Sequence, residues 1–208
     1  MDKIYRVLIV DDHAAISEML TKCLQDYAEF TVIGAIESAA DALLYCAHLK
    51  PDLLVMDICT ANNASGLHAC KEIKEKYPQI KVIIITGFNE ISYVPRAREA
   101  GADAFVYKRR SLSFFISVVR DVMNGGSYFP KERTIPLPNG TAPLSEREIE
   151  ILRLVCSHMN NKQIAEELYI SEHTVKYHKA NMLAKTGFKK ILDLVYYLLS
   201  NGWINPLY

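Results

Sequence analysis

The 208-residue sequence predicts two domains of different class: an α/β domain on a five-stranded, doubly wound parallel sheet over residues 1–124, and an all-α domain over residues 144–208. Three observations predict this. In the first part, short apolar runs alternate with longer segments whose apolar residues recur three and four apart, the pattern of buried strands joined by crossover helices. Residues 125–143, GGSYFPKERTIPLPNGTAP, are rich in Gly and Pro and keep neither period, which reads as a linker. Beyond Pro143 only helical periodicity remains.

The predicted strands are YRVLIV, FTVIGAI, DLLVMD, KVIIIT and DAFVYK. Between and after them, AAISEMLTKCLQDY, SAADALLYCAHLK, GLHACKEIKEKYP, EISYVPRAREAG and SLSFFISVVRDVMNGG carry one apolar face each, several closing at Gly or Pro. The C-terminal part holds four helices, with capping cues at Ser145 with Glu148, at Asn160 or Asn161, and at Ser171. The second and third, NKQIAEEL and EHTVKYHKANMLAKTG, meet at the tight YIS turn, a helix-turn-helix signature.

Composition excludes several classes. Lys and Arg number 24 against 24 Asp and Glu, which argues against a uniformly basic coat and against a disordered acidic tail. Five cysteines form no CxxC pair, so a secreted disulfide scaffold or a zinc site is not expected, and reduced buried thiols are. No apolar run reaches the roughly 18 residues that a membrane span needs. A soluble, cytoplasmic protein without a membrane partner is the expectation.

In doubly wound sheets, ligands bind outside the carboxyl ends of the strands. Those ends carry Asp11 and Asp12, Asp57, Thr86 and Lys108. Three converging carboxylates repel one another unless a hard divalent cation sits among them, and Mg²⁺ commonly takes one or two carboxylates together with phosphoryl oxygens. Lys108 then suits a phosphate-binding point charge and Thr86 a hydroxyl donor.

VDD, VMD, IIIT and VYK fall where the receiver domains of two-component response regulators carry their acidic pair, phosphoacceptor, hydroxyl switch residue and lysine; residues 1–124 resemble that flavodoxin-like domain. The resemblance implies that Asp57 takes a phosphoryl group from a sensor histidine kinase. It also implies that Asp11, Asp12, Asp57 and the Cys59 main-chain carbonyl hold Mg²⁺, and that Phe105 is the switch aromatic following Thr86. The chain departs from the family after Asp57, where ICTANNASG replaces the usual Met-Pro stretch and sets Gly66 one residue late, so a longer polar loop is expected. No Pro follows Lys108.

From Glu172 to Asp193 the lysines 176, 179, 185, 189 and 190 occur with His173 and His178 and no acid between. LSEREIEIL, NNKQIAEEL and ISEHTVKYHKANMLAKTG resemble the LuxR-type (NarL-type) DNA-binding domain. That resemblance implies that Lys176, Tyr177 and Lys179 contact the groove or backbone of promoter DNA, with Thr174, His178 and Lys162 near phosphates. Val175, Ile164, Leu168 and Leu183 are expected in the core. The last helix, with Leu194, Val195, Tyr197 and Leu198, reads equally as a dimerising face or as core.

The expected function is therefore a phosphorylation-switched, homodimeric transcription factor rather than an enzyme. Two rivals stand beside it. One is a phosphohydrolase using the Asp-rich pocket, against which no cap or substrate pocket is legible. The other is an atypical receiver that regulates without phosphate, which the altered loop after Asp57 makes relevant.

Overall fold

The structure is a computed structural model that describes residues 3–131, 135, 137 and 142–205. It divides into two compact units, Met1–Gly87 with Tyr93–Lys131, and Phe88–Ser92 with Glu132–Tyr208. In the first unit the elements run β1 (Tyr5–Val10), α1 (Ala14–Gln25), β2 (Phe30–Ile36), α2 (Ala42–Leu49), β3 (Leu53–Asp57), β4 (Cys59–Thr60), β5 (Ala64–Ser65), α3 (Gly66–Lys76), β6 (Lys81–Thr86), α4 (Tyr93–Glu99), β7 (Ala104–Tyr107) and α5 (Leu112–Met123). The main sheet is parallel in the order β2-β1-β3-β6-β7, which is the doubly wound architecture expected from the alternating runs.

Burial explains why those runs are continuously apolar rather than alternating. Val7, Ile9, Val55, Ile83, Ile85 and Val106 pack with Leu20, Leu24, Phe115 and Val119 of α1 and α5 in one cluster. Leu8, Leu54, Met56, Ile84 and Phe105, of opposite parity along their strands, are buried as well. A parallel sheet covered on both faces requires apolar residues at every position.

Two features were not legible beforehand. The stretch after Asp57 is an ordered antiparallel hairpin in which Cys59 pairs with Ser65 and Thr60 with Ala64. Its tip places Asn62 and Asn63 at φ 59° and 56°, a left-handed region that Asn tolerates better than most residues. Residues 125–131, expected as linker, lie with the first unit. Gly125, at φ 90°, turns the chain back after α5. Tyr128 then bridges Ala104 in parallel, and its carbonyl accepts the Phe105 amide at 2.7 Å. The Tyr128 ring meets Phe114 edge-on at 5.1 Å, and Arg98 stacks 3.9 Å over Phe129.

The second unit holds α6 (Glu146–Cys156), α7 (Asn161–Glu167), α8 (Glu172–Thr186) and α9 (Ile191–Ser200). Capping boxes start α6 at Ser145 with Glu148 and α7 at Asn160 with Gln163, Ser171 caps α8, and Gly187 at φ 76° ends it. Ile149, Leu152, Ile164, Val175, Met182, Leu194, Val195 and Leu198 form the core. Leu168, expected there, is half-buried and packs against that core, while Leu183, also expected there, is half-buried on α8. In α9, Leu194, Val195 and Leu198 thus serve the core, Tyr197 stacks obliquely on Phe188 at 5.5 Å, and the exposed apolar stripe consists of Leu192, Tyr196 and Leu199 instead.

Glu148 is buried, with both carboxylate oxygens 2.9 Å from Lys185 Nζ and one accepting the Ser145 amide at 2.8 Å. Burial alone would raise its pKa, but the Ser145 amide and the Lys185 ammonium outweigh that and lower it. A depressed carboxylate contributes stability that is present above its unfolded value, about 4.3, and is lost as pH falls through the native value. Glu148→Gln should therefore destabilise the protein at pH 7 by about 1 to 2 kcal/mol. The deficit should shrink as thermal melts are repeated from pH 6 down to pH 3.

Candidate functional site

Strand register builds the first site. Val10 lies opposite Met56, Asp57 opposite Ile85 and Thr86 opposite Tyr107, so the residues that end or follow β1, β3, β6 and β7 share one rim. Asp11, Asp57 and Thr86 are at most 3% exposed there. Lys108 Nζ lies 2.6 Å from Asp57 Oδ2 and 2.8 Å from Asp11 Oδ2, bridging the two acids. The other Asp57 oxygen accepts the Ile58 amide at 2.8 Å. Burial pushes the Asp57 pKa up to about 6 and Asp11 adds to the rise, although Lys108 opposes it. Burial works against the Lys108 charge, yet Asp57 and Asp11 hold that ammonium above its ordinary range.

Asp12 and His13 complete the acidic side. His13 donates its amide to Asp11 Oδ1 at 3.0 Å, and its Nδ1 lies 2.8 Å from Asp12 Oδ1 and 3.3 Å from Asp11 Oδ1. Asp11, Asp12, His13 and Asp57 each bring one ligand-capable atom to within 4.8 Å of the others. A donor set with three carboxylates suits a hard divalent cation. His13 was missed by sequence reasoning; its signal is adjacency to the acidic pair.

Cys59 opens the hairpin beside this pocket, its Sγ 3.8 Å from the buried Tyr93 hydroxyl. Burial lifts its thiol to about 11, so it is neutral at physiological pH. Phe105 is fully buried and meets Tyr107 edge-on at 5.2 Å.

The second site is the surface of α8. Val175, Met182 and Thr186 face inward, whereas His173, Lys176, Tyr177 and Ala180 are exposed at helical spacing, one continuous outer stripe. Lys162 on α7 is exposed too. Thr174 is engaged at the cap, its amide donating to Ser171 Oγ at 3.0 Å with the two hydroxyls 2.8 Å apart. His178 packs against the Tyr177 ring at 6.1 Å. Lys179 is half-buried and donates to Asn161 Oδ1 at 2.7 Å, and desolvation lowers its pKa. With Lys185 paired to Glu148, the run of lysines divides into two with intramolecular partners and the exposed Lys176, Lys189 and Lys190.

Removing Lys108 leaves Asp11 and Asp57 buried and facing each other. Stripping one partner from a buried ion pair typically costs about 3 to 5 kcal/mol. Lys108→Ala should unfold at correspondingly lower urea concentration in metal-free buffer, with the slope of the transition unchanged.

Known proteins match along most of the chain. The family model of the response regulator receiver domain matches residues 7–120, and that of the bacterial regulatory proteins of the luxR family matches residues 142–198. Response regulator protein VraR of Staphylococcus epidermidis is 34% identical over 206 residues, covering 96% of this chain and 98% of that protein. VraR of Staphylococcus aureus strain NCTC 8325 is 32% identical over the same coverage. Among solved structures, RcsB of Salmonella enterica serovar Typhimurium, bound to promoter rprA with the phosphomimetic BeF3-, aligns at TM-score 0.64 and 23% identity over 94% of this chain and 98% of that one. The response regulator ChrA of a heme-sensing two-component system aligns at TM-score 0.54 and 24% identity over 98% and 100%.

Proposed function

The chain belongs to the response regulators that join a receiver domain to a luxR-family DNA-binding domain, and from that premise we propose that Asp57 is its phosphoacceptor and that phosphorylation controls dimerisation and promoter binding. The observation that carries this reading is the Lys108 ammonium held between Asp57 and Asp11 on the buried rim. A lysine so placed keeps Asp57 available as a carboxylate in a site where burial alone would favour its protonation.

The donor is a phosphohistidine of a sensor kinase. An Asp57 oxygen attacks phosphorus, the new O–P bond forms as the N–P bond breaks, and the imidazole leaves. Asp11, Asp12, Asp57 and the Cys59 main-chain carbonyl would hold Mg²⁺, which when bound neutralises charge on the phosphoryl oxygens. Lys108 pairs with one of those oxygens and Thr86 donates its hydroxyl to another. Phe105 follows Thr86 and reshapes the surface around it.

At the DNA, the exposed Lys176 and Tyr177 read the groove, and Lys162, Thr174 and His178 lie near the backbone. Lys179, tethered to Asn161, contacts DNA from a fixed position. The exposed Leu192, Tyr196 and Leu199 of α9 suit a second copy of the chain, so that two α8 helices address half-sites about one helical turn apart. Among the described residues no helix is long and apolar enough to cross a membrane, which fits action in the cytoplasm beside DNA.

Acetyl phosphate with Mg²⁺ should add one phosphoryl group to the protein, seen by intact mass, and Asp57→Asn should abolish it because the amide lacks a nucleophilic oxygen. Beryllofluoride with Mg²⁺ should raise dimer affinity roughly 5 to 150-fold in sedimentation, a normal range for allosteric coupling. Equal dimerisation with and without it would favour the phosphate-independent reading.

Lys176→Ala should weaken binding to a cognate promoter duplex by about 1 to 3 kcal/mol and relax selectivity at one base pair if Lys176 reads a base edge. The measurement is fluorescence anisotropy over a salt series. An equal loss on all sequences, with the log-log salt slope reduced by about 1, would make Lys176 a phosphate contact instead.

A further inference from the structure

The stretch where this chain leaves the usual receiver pattern is pinned rather than loose. Thr60 is 4% exposed, and its hydroxyl oxygen accepts the Ala39 amide at 2.9 Å while donating to the Ala64 carbonyl at 2.7 Å. One buried hydroxyl therefore ties the two hairpin strands to each other and to the turn before α2. The neighbouring Ala61 amide donates to the Glu37 carbonyl at 3.0 Å, strengthening the same attachment. At the other end the Gly66 amide donates to the Ile58 carbonyl at 2.8 Å, and Gly66 packs so closely on the phosphorylation strand that a Cβ there would sit 1.8 Å from the Asp57 carbonyl oxygen.

Cys59 lies between these two anchors, directly before Thr60 and paired with Ser65. Its backbone position is set from one side by the Ile58–Gly66 contact and from the other by Thr60. We propose that Thr60 is a positioning residue for the divalent-metal side of the phosphorylation pocket, its hydroxyl fixing the main chain of Cys59 so that the carbonyl of residue 59 can serve as a ligand. This rests on the reading of Asp11, Asp12, Asp57 and Cys59 as the Mg²⁺ site. The chemistry explains why a Thr stands in this loop. Val has the same shape and would fill the buried space, but only a hydroxyl can accept one backbone hydrogen bond and donate another. Removing it leaves the buried Ala39 amide without that partner and takes one of the ties from the half-buried Ala64 carbonyl, which loosens the attachment of the hairpin to the turn before α2. Partners that orient a metal ligand typically change metal affinity about 10 to 100-fold when lost.

The test uses the full chain and Mn²⁺ as probe, with free ion counted by electron paramagnetic resonance, and compares Thr60→Val, Thr60→Ser and Asp12→Ala with the parent. Thr60→Val should bind Mn²⁺ about ten-fold more weakly, and Thr60→Ser, which keeps the hydroxyl, should bind within about two-fold of the parent. In acetyl phosphate labelling, Thr60→Val should need more Mg²⁺ for half-maximal rate yet approach the parental rate at saturation, a split that general loosening of the fold would not produce. If Thr60→Val does not fold by circular dichroism, Thr60→Ala replaces it, since it also lacks the hydroxyl and fits the same space. Parental Mn²⁺ affinity in the hydroxyl-free variant, or an equal loss in Thr60→Ser, overturns the role of Thr60 if Asp12→Ala has lost affinity. Parental affinity in Asp12→Ala overturns the metal site itself, and the positioning role with it.

Discussion

Two carboxylates, Asp11 and Asp57, are buried at one end of a parallel sheet and share a single lysine, Lys108, at 2.8 and 2.6 Å. Like charges that close in a poorly solvated site are unfavourable unless a cation lies between them. Most of the first unit serves to make that arrangement tolerable. The sheet aligns β1, β3 and β7 so that their termini meet, and helices on both faces exclude water from the strands. The price is an Asp57 pushed up to about 6. That same lack of solvation means that any charge at Asp57 acts strongly on the neighbouring Lys108 in a medium of low effective dielectric.

Contacts run from the strand beside the pocket to the segment beyond α5. Phe105 occupies the strand whose end supplies Lys108, and its own amide donates to Tyr128 beyond α5. Arg98 on α4 stacks on the next residue, Phe129. The segment leaving the receiver is thus attached to β7 by a backbone bond and to α4 by a cation–π contact, a type of interaction worth about 0.5 to 1 kcal/mol at exposed sites. Attachments of that size hold a resting position without making it permanent.

In the helical unit, charge is sorted by tertiary pairing rather than by sequence. Lys185 belongs to the same acid-free run as Lys176, yet it meets Glu148 across the fold, and Glu148 at the same time closes the capping box of α6. One glutamate therefore ties the start of α6 to the end of α8. Lys179 is drawn to Asn161, which opens α7. Both lysines help fix α8 against its neighbours, leaving His173, Lys176 and Tyr177 as the side chains presented outward.

The sequence by itself determined the two fold classes and the order of the elements. Buried parallel strands must be apolar throughout and helices must show a face, and both signals are local. It also exposed Asp11, Asp12, Asp57, Thr86 and Lys108 as polar residues at strand ends, since parallel topology sends every carboxyl end to the same rim. Tertiary structure alone decided the rest. It turned the expected loop after Asp57 into a hairpin by pairing Cys59 with Ser65 and Thr60 with Ala64, and it gave the Thr60 hydroxyl partners at Ala39 and Ala64. It laid residues 125–131 against β7, and it assigned Leu194, Val195 and Leu198 of α9 to the core while leaving Leu192, Tyr196 and Leu199 outside. His13, too, gained its place only when its ring met Asp12. Each of these outcomes turns on which groups meet in space: periodicity shows that a residue has a face or a charge, whereas the fold selects the partner that satisfies it.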